Sequence, residues 1–290
     1  MPTDPALTPT QVRAYLRRLG LDADRDLPPT LATLELLQRA HMEAVPFENL
    51  DVFLRRPLSL TRDALYDKLV TRRRGGYCFE LNSLYAALLR TLGFGVSPRL
   101  ARVWLRHPTE PPTRNHLTHL VTVDGRPYLT DVGFGGLTAR RPFPVDTTAP
   151  SDDGEGRVRV IPHDTYGWMF EREDEGTWQP QYSFDDGHVT AQDVLAANHW
   201  MEHHPVSHFR ENRFAARFHE RGRSGLFDTQ LTTRDYRDGR HERRSEEVAY
   251  GEGYLAVLRE RFGIDLGALT PEERERLRGV PSPTSGITRR

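Results

Sequence analysis

HLTHLVTVDGRPYLTD, residues 116–131, reads as two alternating runs that meet at Asp124-Gly125. An Asp-Gly pair tolerates the positive φ values of a two-residue hairpin turn, so the spacing predicts antiparallel strands on either side of it. Counting outward from the turn, Val123 faces Arg126, Thr118 faces Asp131 and His116 faces Gly133. Alternate side chains share a face. His116 and Asp131 therefore become diagonal neighbours, ~7–8 Å apart at Cα and within reach of an imidazole–carboxylate hydrogen bond. His119 is an odd step from His116 and points to the opposite face, where a structural or surface role is expected. His107, in the loop RHPTEPP, has no strand to fix it.

Working outward, SPRLARVWL (97–105), GRVRVIP (156–162), YGWMF (166–170) and QPQYSF (179–184) are further short β-branched or aromatic runs between turn residues. Strands at this spacing predict a small barrel or sandwich. The first ninety residues read as helices instead. Val12, Tyr15, Leu16 and Leu19 keep helical spacing ahead of Gly20; Leu31, Leu34 and Leu37 follow Pro28-Pro29-Thr30. Leu65 and Leu69 mark a third helix over about 61–70, and a fourth begins near Cys78 and stops at Gly93. Beyond the strands, a helix is expected around 191–203, then strand-like GLFDTQLTTRDYRDGRHERR (225–244) with a second hairpin at Asp238-Gly239. An amphipathic helix through Tyr254, Leu258 and Phe262 and a capped one opening at Thr270-Pro271 follow, and GVPSPTSGITRR (279–290) is expected to be disordered. The expected organisation is a helical domain over 1–93, a β-barrel domain over 94–190 and an α/β lid over 191–290.

A formal net charge of −1 argues against a nucleic-acid binder, whose phosphate contacts demand a basic face. No stretch approaches the ~18 apolar residues of a membrane span. MPTDPALTPTQ lacks the basic and apolar regions of a signal peptide, and a single cysteine allows no disulfide framework, so a reducing cytoplasm is expected. Arginine supplies every cation but Lys68, and Arg72–Arg74 cluster in one loop, either solvated or facing an anion.

That loop leads into RRRGGYCFELN (72–82). Gly75-Gly76 permits a tight turn and close approach to the backbone. Cys78 falls in the first turn of the fourth helix, where unpaired N–H groups and the helix dipole favour negative charge, the setting of a nucleophilic thiol rather than an inert buried one. Acyl transfer by a thiolate needs a base, and the base an orienting acceptor; His116 and Asp131 are the candidates the hairpin supplies. In NHWMEHHPVSHF (198–209), His199 and His203 lie i, i+4 on a helix, but no HExxH arrangement or third ligand accompanies them, and no metal is expected.

Four stretches in order resemble the arylamine N-acetyltransferase family: AVPFENLDV (44–52), RRGGYCFELN (73–82), HLTHLVTVDGRPYLTDVGFGG (116–136) and NHWMEHHPVSHFRENRFAAR (198–217). The resemblance implies an α+β fold with an N-terminal helical bundle, a central antiparallel β-barrel and a C-terminal α/β lid around a cysteine-protease/transglutaminase-like catalytic core. It implies a triad of Cys78, His116 and Asp131, the residues the hairpin register reaches independently. It also implies ping-pong transfer from acetyl-CoA, a co-substrate rather than a bound cofactor, to an arylamine or arylhydrazine. By the same resemblance Phe47 and Phe134 line the acceptor pocket, and Gly133, Gly135 and Gly136 form a loop that lets CoA pass. Arg74, Glu48 and Asn49 would tie the nucleophile loop to the N-terminal helices. Leu81 stands where many relatives have Gln, and Glu202 where they commonly have Ser or Thr. An amide synthase of polyketide release, a cysteine hydrolase with the same triad and a catalytically dead binding protein are the alternatives.

Overall fold

In the computed structural model, which describes residues 6–105, 108–237 and 240–279, the four expected helices form. His107, the Asp238-Gly239 turn and residues 280–290 lie outside the described residues. Helix α1 (Pro9–Arg18) opens on a Thr8 side-chain cap and is followed by Gly20 at φ +75°. Thr30 caps α2 (Leu31–Ala44). Where the sequence reads as helical throughout, Phe47–Glu48 is instead a short strand, β1, and α3 (Leu50–Phe53) is a single turn after it. Helix α4 (Arg62–Tyr66) runs on into a π-helical turn over Asp67–Thr71. Helix α5 (Cys78–Thr91) is the centre of the largest core: Leu81, Leu84, Leu88 and Leu89 are fully buried. Each contributes about 1.5–3 kcal/mol of transfer free energy.

Strands β2 (Gly95–Val103), β3 (His116–Val123), β4 (Arg126–Thr130), β5 (Phe143–Pro144), β6 (Ser151–Asp152), β7 (Arg157–His163), β8 (Gly167–Asp174) and β9 (Thr177–Phe184) form one antiparallel sheet. Their order is β5-β4-β3-β2-β9-β8-β7-β6. The sheet curls until its ends share a core, with the ring of Phe143 of β5 5.2 Å from that of Phe170 of β8, and the Arg140 N–H ahead of β5 donating to Asp153 beyond β6 at 2.8 Å. Of barrel and sandwich, the chain adopts a nearly closed barrel.

The hairpin register is the expected one from Val123↔Arg126 to His119↔Thr130, with Asp124 and Gly125 at φ +50° and +78°. Pairing stops there. The pairs Thr118–Asp131 and His116–Gly133 do not form, because the chain turns away after Thr130; His116 is held by its other neighbour, opposite Ala101 of β2. His119 shares its face with Leu117 and Val121, which pack in the α5 core, so it is buried rather than at the surface.

After the barrel come α6 (Ala191–His203) and a 3₁₀ turn at His208–Arg210. A second antiparallel sheet, in order β1-β10-β11-β12-β13, is built from β10 (Phe214–His219), β11 (Gly222–Phe227), β12 (Gln230–Arg237) and β13 (Arg240–Glu247). Helices α7 (Glu252–Glu260) and α8 (Pro271–Arg278), the latter capped by Thr270, bury Tyr254, Leu258 and Leu277 with Leu226 and Leu231 of this sheet. No helix among the described residues is long and apolar enough to cross a membrane.

Candidate active site

Tyr77 is extended and Cys78 begins α5, so the thiol sits in the turn where backbone N–H groups lack helical partners. The glycines before it are required by close approach. A Cβ at Gly75 would lie 2.3 Å from the Pro46 carbonyl oxygen, and one at Gly76 2.9 Å from the Glu80 side chain. Glu80 accepts from the Tyr77 N–H (3.2 Å) and from Lys68 Nζ (2.6 Å), which also contacts Asp51 at 2.6 Å. Arg74 pairs with Glu48 at 2.6 Å and Asp51 at 3.1 Å. The loop before Cys78 is thus pinned by buried charges, as expected of Arg74 and Glu48. Asn49 does something else: its amide donates to Phe209 O and Asn212 O and accepts from Phe214 N–H, fixing β1 to the start of β10. Arg72–Arg74 is not one basic face, since Arg74 is buried while Arg72 is exposed and paired with Asp67.

His116 Nε2 lies 2.6 Å from Asp131 Oδ2, and the Cys78 side chain, whose Sγ donates to Asn115 O at 3.9 Å, lies close enough to favour charge on the His116 ring. With Nε2 engaged, Nδ1 is the nitrogen left for the thiol. Burial disfavours charge on His116, but the Asp131 carboxylate and Cys78 outweigh it and push its pKa up to about 10. Burial likewise opposes ionisation of Asp131, yet His116, the Asn82 amide and the Gly133 N–H hold it below the usual carboxylate range. Asn82 is the residue the sequence reading passed over. Its Nδ2 donates to Asp131 Oδ1 (2.9 Å) and Leu117 O (2.6 Å), and its Oδ1 accepts from Val132 N–H (3.0 Å). It stands one helical turn after Cys78, on the same face, and that spacing was the available signal. Tyr182, whose ring lies 5.0 Å from that of His116, gave none.

Cys78 and His116 line a cavity of about 370 Å³ between the barrel and the second sheet. Phe47, Phe134, Gly135 and Gly136 line it too, as do Phe209, Phe214 and Phe227, with the Phe209 ring 6.0 Å from that of Phe47. Phe134 packs edge-on to His116 at 5.1 Å. A Cβ at Gly135 would lie 2.7 Å from the Phe47 ring and one at Gly136 2.9 Å from the Phe134 ring, so both glycines make room for the aromatic wall. Gly133 faces α5 instead of the cavity: a Cβ there would meet Cys78 Cα and Asn82 Nδ2 at 2.8 Å. Glu202 accepts from Leu58 N–H at 3.1 Å and contacts Asn198, which takes the Tyr77 hydroxyl bond.

The other histidines do different work. His199 and His203 stack at 4.1 Å, and among the described residues no cluster of three metal-ligating side chains occurs. Burial, reinforced by Arg18 at His41 and Arg90 at His119, lowers both pKa values to about 3. These bases sit below their unfolded value of ~6.5, so the unfolded chain binds protons the folded one refuses. Their stabilisation is whole above pH ~6.5 and is lost as pH falls toward 3, by roughly 1.4 kcal/mol per pH unit for each. His116 has the opposite sign; its contribution is full below ~6.5 and fades as pH rises through 10. Thermal melts are expected to fall steeply from pH 6.5 to 5, and His41→Phe to flatten that slope. An unchanged slope in the variant would refute the assignment.

The N-acetyltransferase family profile matches residues 30–270. The arylamine N-acetyltransferase / N-hydroxyarylamine O-acetyltransferase of Salmonella typhimurium is 40% identical over 65% of this chain and 67% of its own. The arylamine N-acetyltransferase of Mycolicibacterium smegmatis is 36% identical over 88% of this chain and 92% of its own. Among solved structures, that of Mycobacterium marinum arylamine N-acetyltransferase in complex with CoA superposes with a TM-score of 0.83 at 33% identity, covering 92% of this chain and 97% of the other.

Proposed function

The chain belongs to the arylamine N-acetyltransferase family, and on that premise we propose that it moves an acetyl group from acetyl-CoA to an arylamine or arylhydrazine through a thioester on Cys78. The observation that carries this reading is the buried line Cys78–His116–Asp131 on the wall of an aromatic cavity. Cys78 thiolate attacks the thioester carbonyl; the C–S bond to CoA breaks, and the leaving thiolate takes the proton held by His116. The amine then attacks acetyl-Cys78, His116 takes the amine proton, and the Cys78 thiolate leaves, returning the ion pair. Asp131 keeps the imidazole ring oriented and stabilises its charge in both steps. The Cys78 N–H, in the first turn of α5, is the donor this reading offers to the carbonyl oxygen as negative charge develops there. Phe47 and Phe134 hold the ring of the acceptor, and the Gly135-Gly136 backbone borders the path of the donor. A cytoplasmic location completes the proposal.

The test is intact-protein mass spectrometry after incubation with acetyl-CoA and no amine. A gain of roughly 42 Da that maps to Cys78 and disappears on adding an arylamine is the expected result. No adduct on a thiol that still alkylates would refute it and favour another acyl donor, as an amide synthase would use.

A further inference from the structure

Gly136 lines the cavity, and neither it nor the residues that follow it as far as Ala139 belong to a helix or strand. Buried backbone must find hydrogen-bond partners, and here side chains supply them. Four successive carbonyls are held from outside: Gly136 O by Arg223 Nη1 (2.9 Å), Leu137 O by Arg172 Nε (3.1 Å), Thr138 O by Arg172 Nη2 (2.9 Å) and Ala139 O by Gln38 Nε2 (2.9 Å). The two arginines are buried and anchored in turn, Arg172 on Asp153 and Arg223 on Glu155, which Arg140 also pairs with at 2.8 Å. Arg223 further stacks on the Phe218 ring at 4.7 Å. A guanidinium fixed on a carboxylate and an aromatic face has little freedom left, so its remaining N–H groups hold what they grip at a set distance.

Arg223 differs from the other holders in where it starts. It lies on β11, the strand whose Gly225, Leu226 and Phe227 line the facing side of the cavity. It therefore spans the two walls, gripping the Gly136 carbonyl from the strand that Gly136 faces. We infer that Arg223 sets the width of the cavity between the Phe134–Gly136 wall and β11, and so is a positioning residue that determines how bulky an aromatic amine the acetyl-enzyme accepts. The inference rests on the acetyl-transfer reading above. It assigns no contact between Arg223 and substrate.

The test compares kcat/KM for aniline with that for a three-ring aromatic amine, in the wild type and in Arg223→Met. In a ping-pong reaction this ratio reads only the acceptor step. Freeing Gly136 from β11 is expected to shift the ratio by at least tenfold toward the larger amine. Arg223→Lys, which keeps the charge beside Glu155 with a single donor head, is expected to fall between the two and remains readable if the methionine variant does not fold. A support that merely stabilised the fold would lower both constants by the same factor; an unchanged ratio in the folded variants overturns the inference. Absence of any acetyl adduct on the wild type overturns the acetyl-transfer reading and this inference together, whereas a normal adduct with an unchanged ratio overturns the inference alone.

Discussion

Cys78→Ala is expected to fold and to acetylate no amine. The thioester needs a sulfur, and no other cysteine exists in the chain to replace it. What remains is binding and whatever the first-turn N–H groups contribute to an uncatalysed attack, so the rate should drop by about 10⁴-fold or more. The fold should survive, because the change removes one atom from a core already filled by Phe79, Leu81 and Tyr85, a loss on the order of 1 kcal/mol. Amine acetylation measured beside a thermal melt separates the two effects. Activity within a hundredfold of wild type, with the melt unchanged, would remove Cys78 from the reaction.

Asp131→Asn should cost almost as much by another route. The carboxylate sits 2.6 Å from His116 Nε2 and is the main group opposing the burial that disfavours the imidazolium. Without it, burial prevails, His116 loses its proton at lower pH and the thiolate loses its partner. Asn82 Nδ2 and the Gly133 N–H, both donors, continue to face the position of Oδ1. They orient the new amide with its oxygen toward themselves and its NH₂ toward the imidazole, which favours the wrong tautomer. A fall in kcat of roughly 10³–10⁴-fold is expected. Imidazole ¹⁵N shifts should show the His116 titration displaced to lower pH than in the wild type, where Asp131 raises it. A kcat within tenfold of wild type, or an unmoved titration, would mean that Asp131 only fills space.

The hairpin shows why the contact between His116 and Asp131 was legible and its surroundings were not. An Asp-Gly turn fixes register locally, so the diagonal from His116 to Asp131 followed from counting, even though the ladder ends one residue before Asp131. Helix caps at Thr8, Thr30 and Thr270 are equally local. Strand β1 could not be seen in this way. Two residues, Phe47 and Glu48, become a strand because β10, more than 160 positions later, offers them an edge opposite Ala215 and Ala216. The burial of His119 has the same kind of cause, since alternation gave its face while only the packing of α5 decided that the face was covered. The arginines that suspend residues 136–138 carry no pattern in the sequence, because they act on main-chain carbonyls, which every residue has.

The ion pairs around the loop before Cys78 have one chemical consequence for the molecule itself. A protein that carries an activated acetyl thioester is a hazard to its own amines. Here the sole lysine, Lys68, is buried with its ammonium between Asp51 and Glu80, and those carboxylates hold its proton against the cost of burial. An ammonium has no lone pair to offer an acyl group. Arginine, which supplies every other lysine-or-arginine charge, stays protonated at any pH the protein meets. With its one lysine held this way, the chain offers no lysine amine to the acetyl thioester proposed on Cys78.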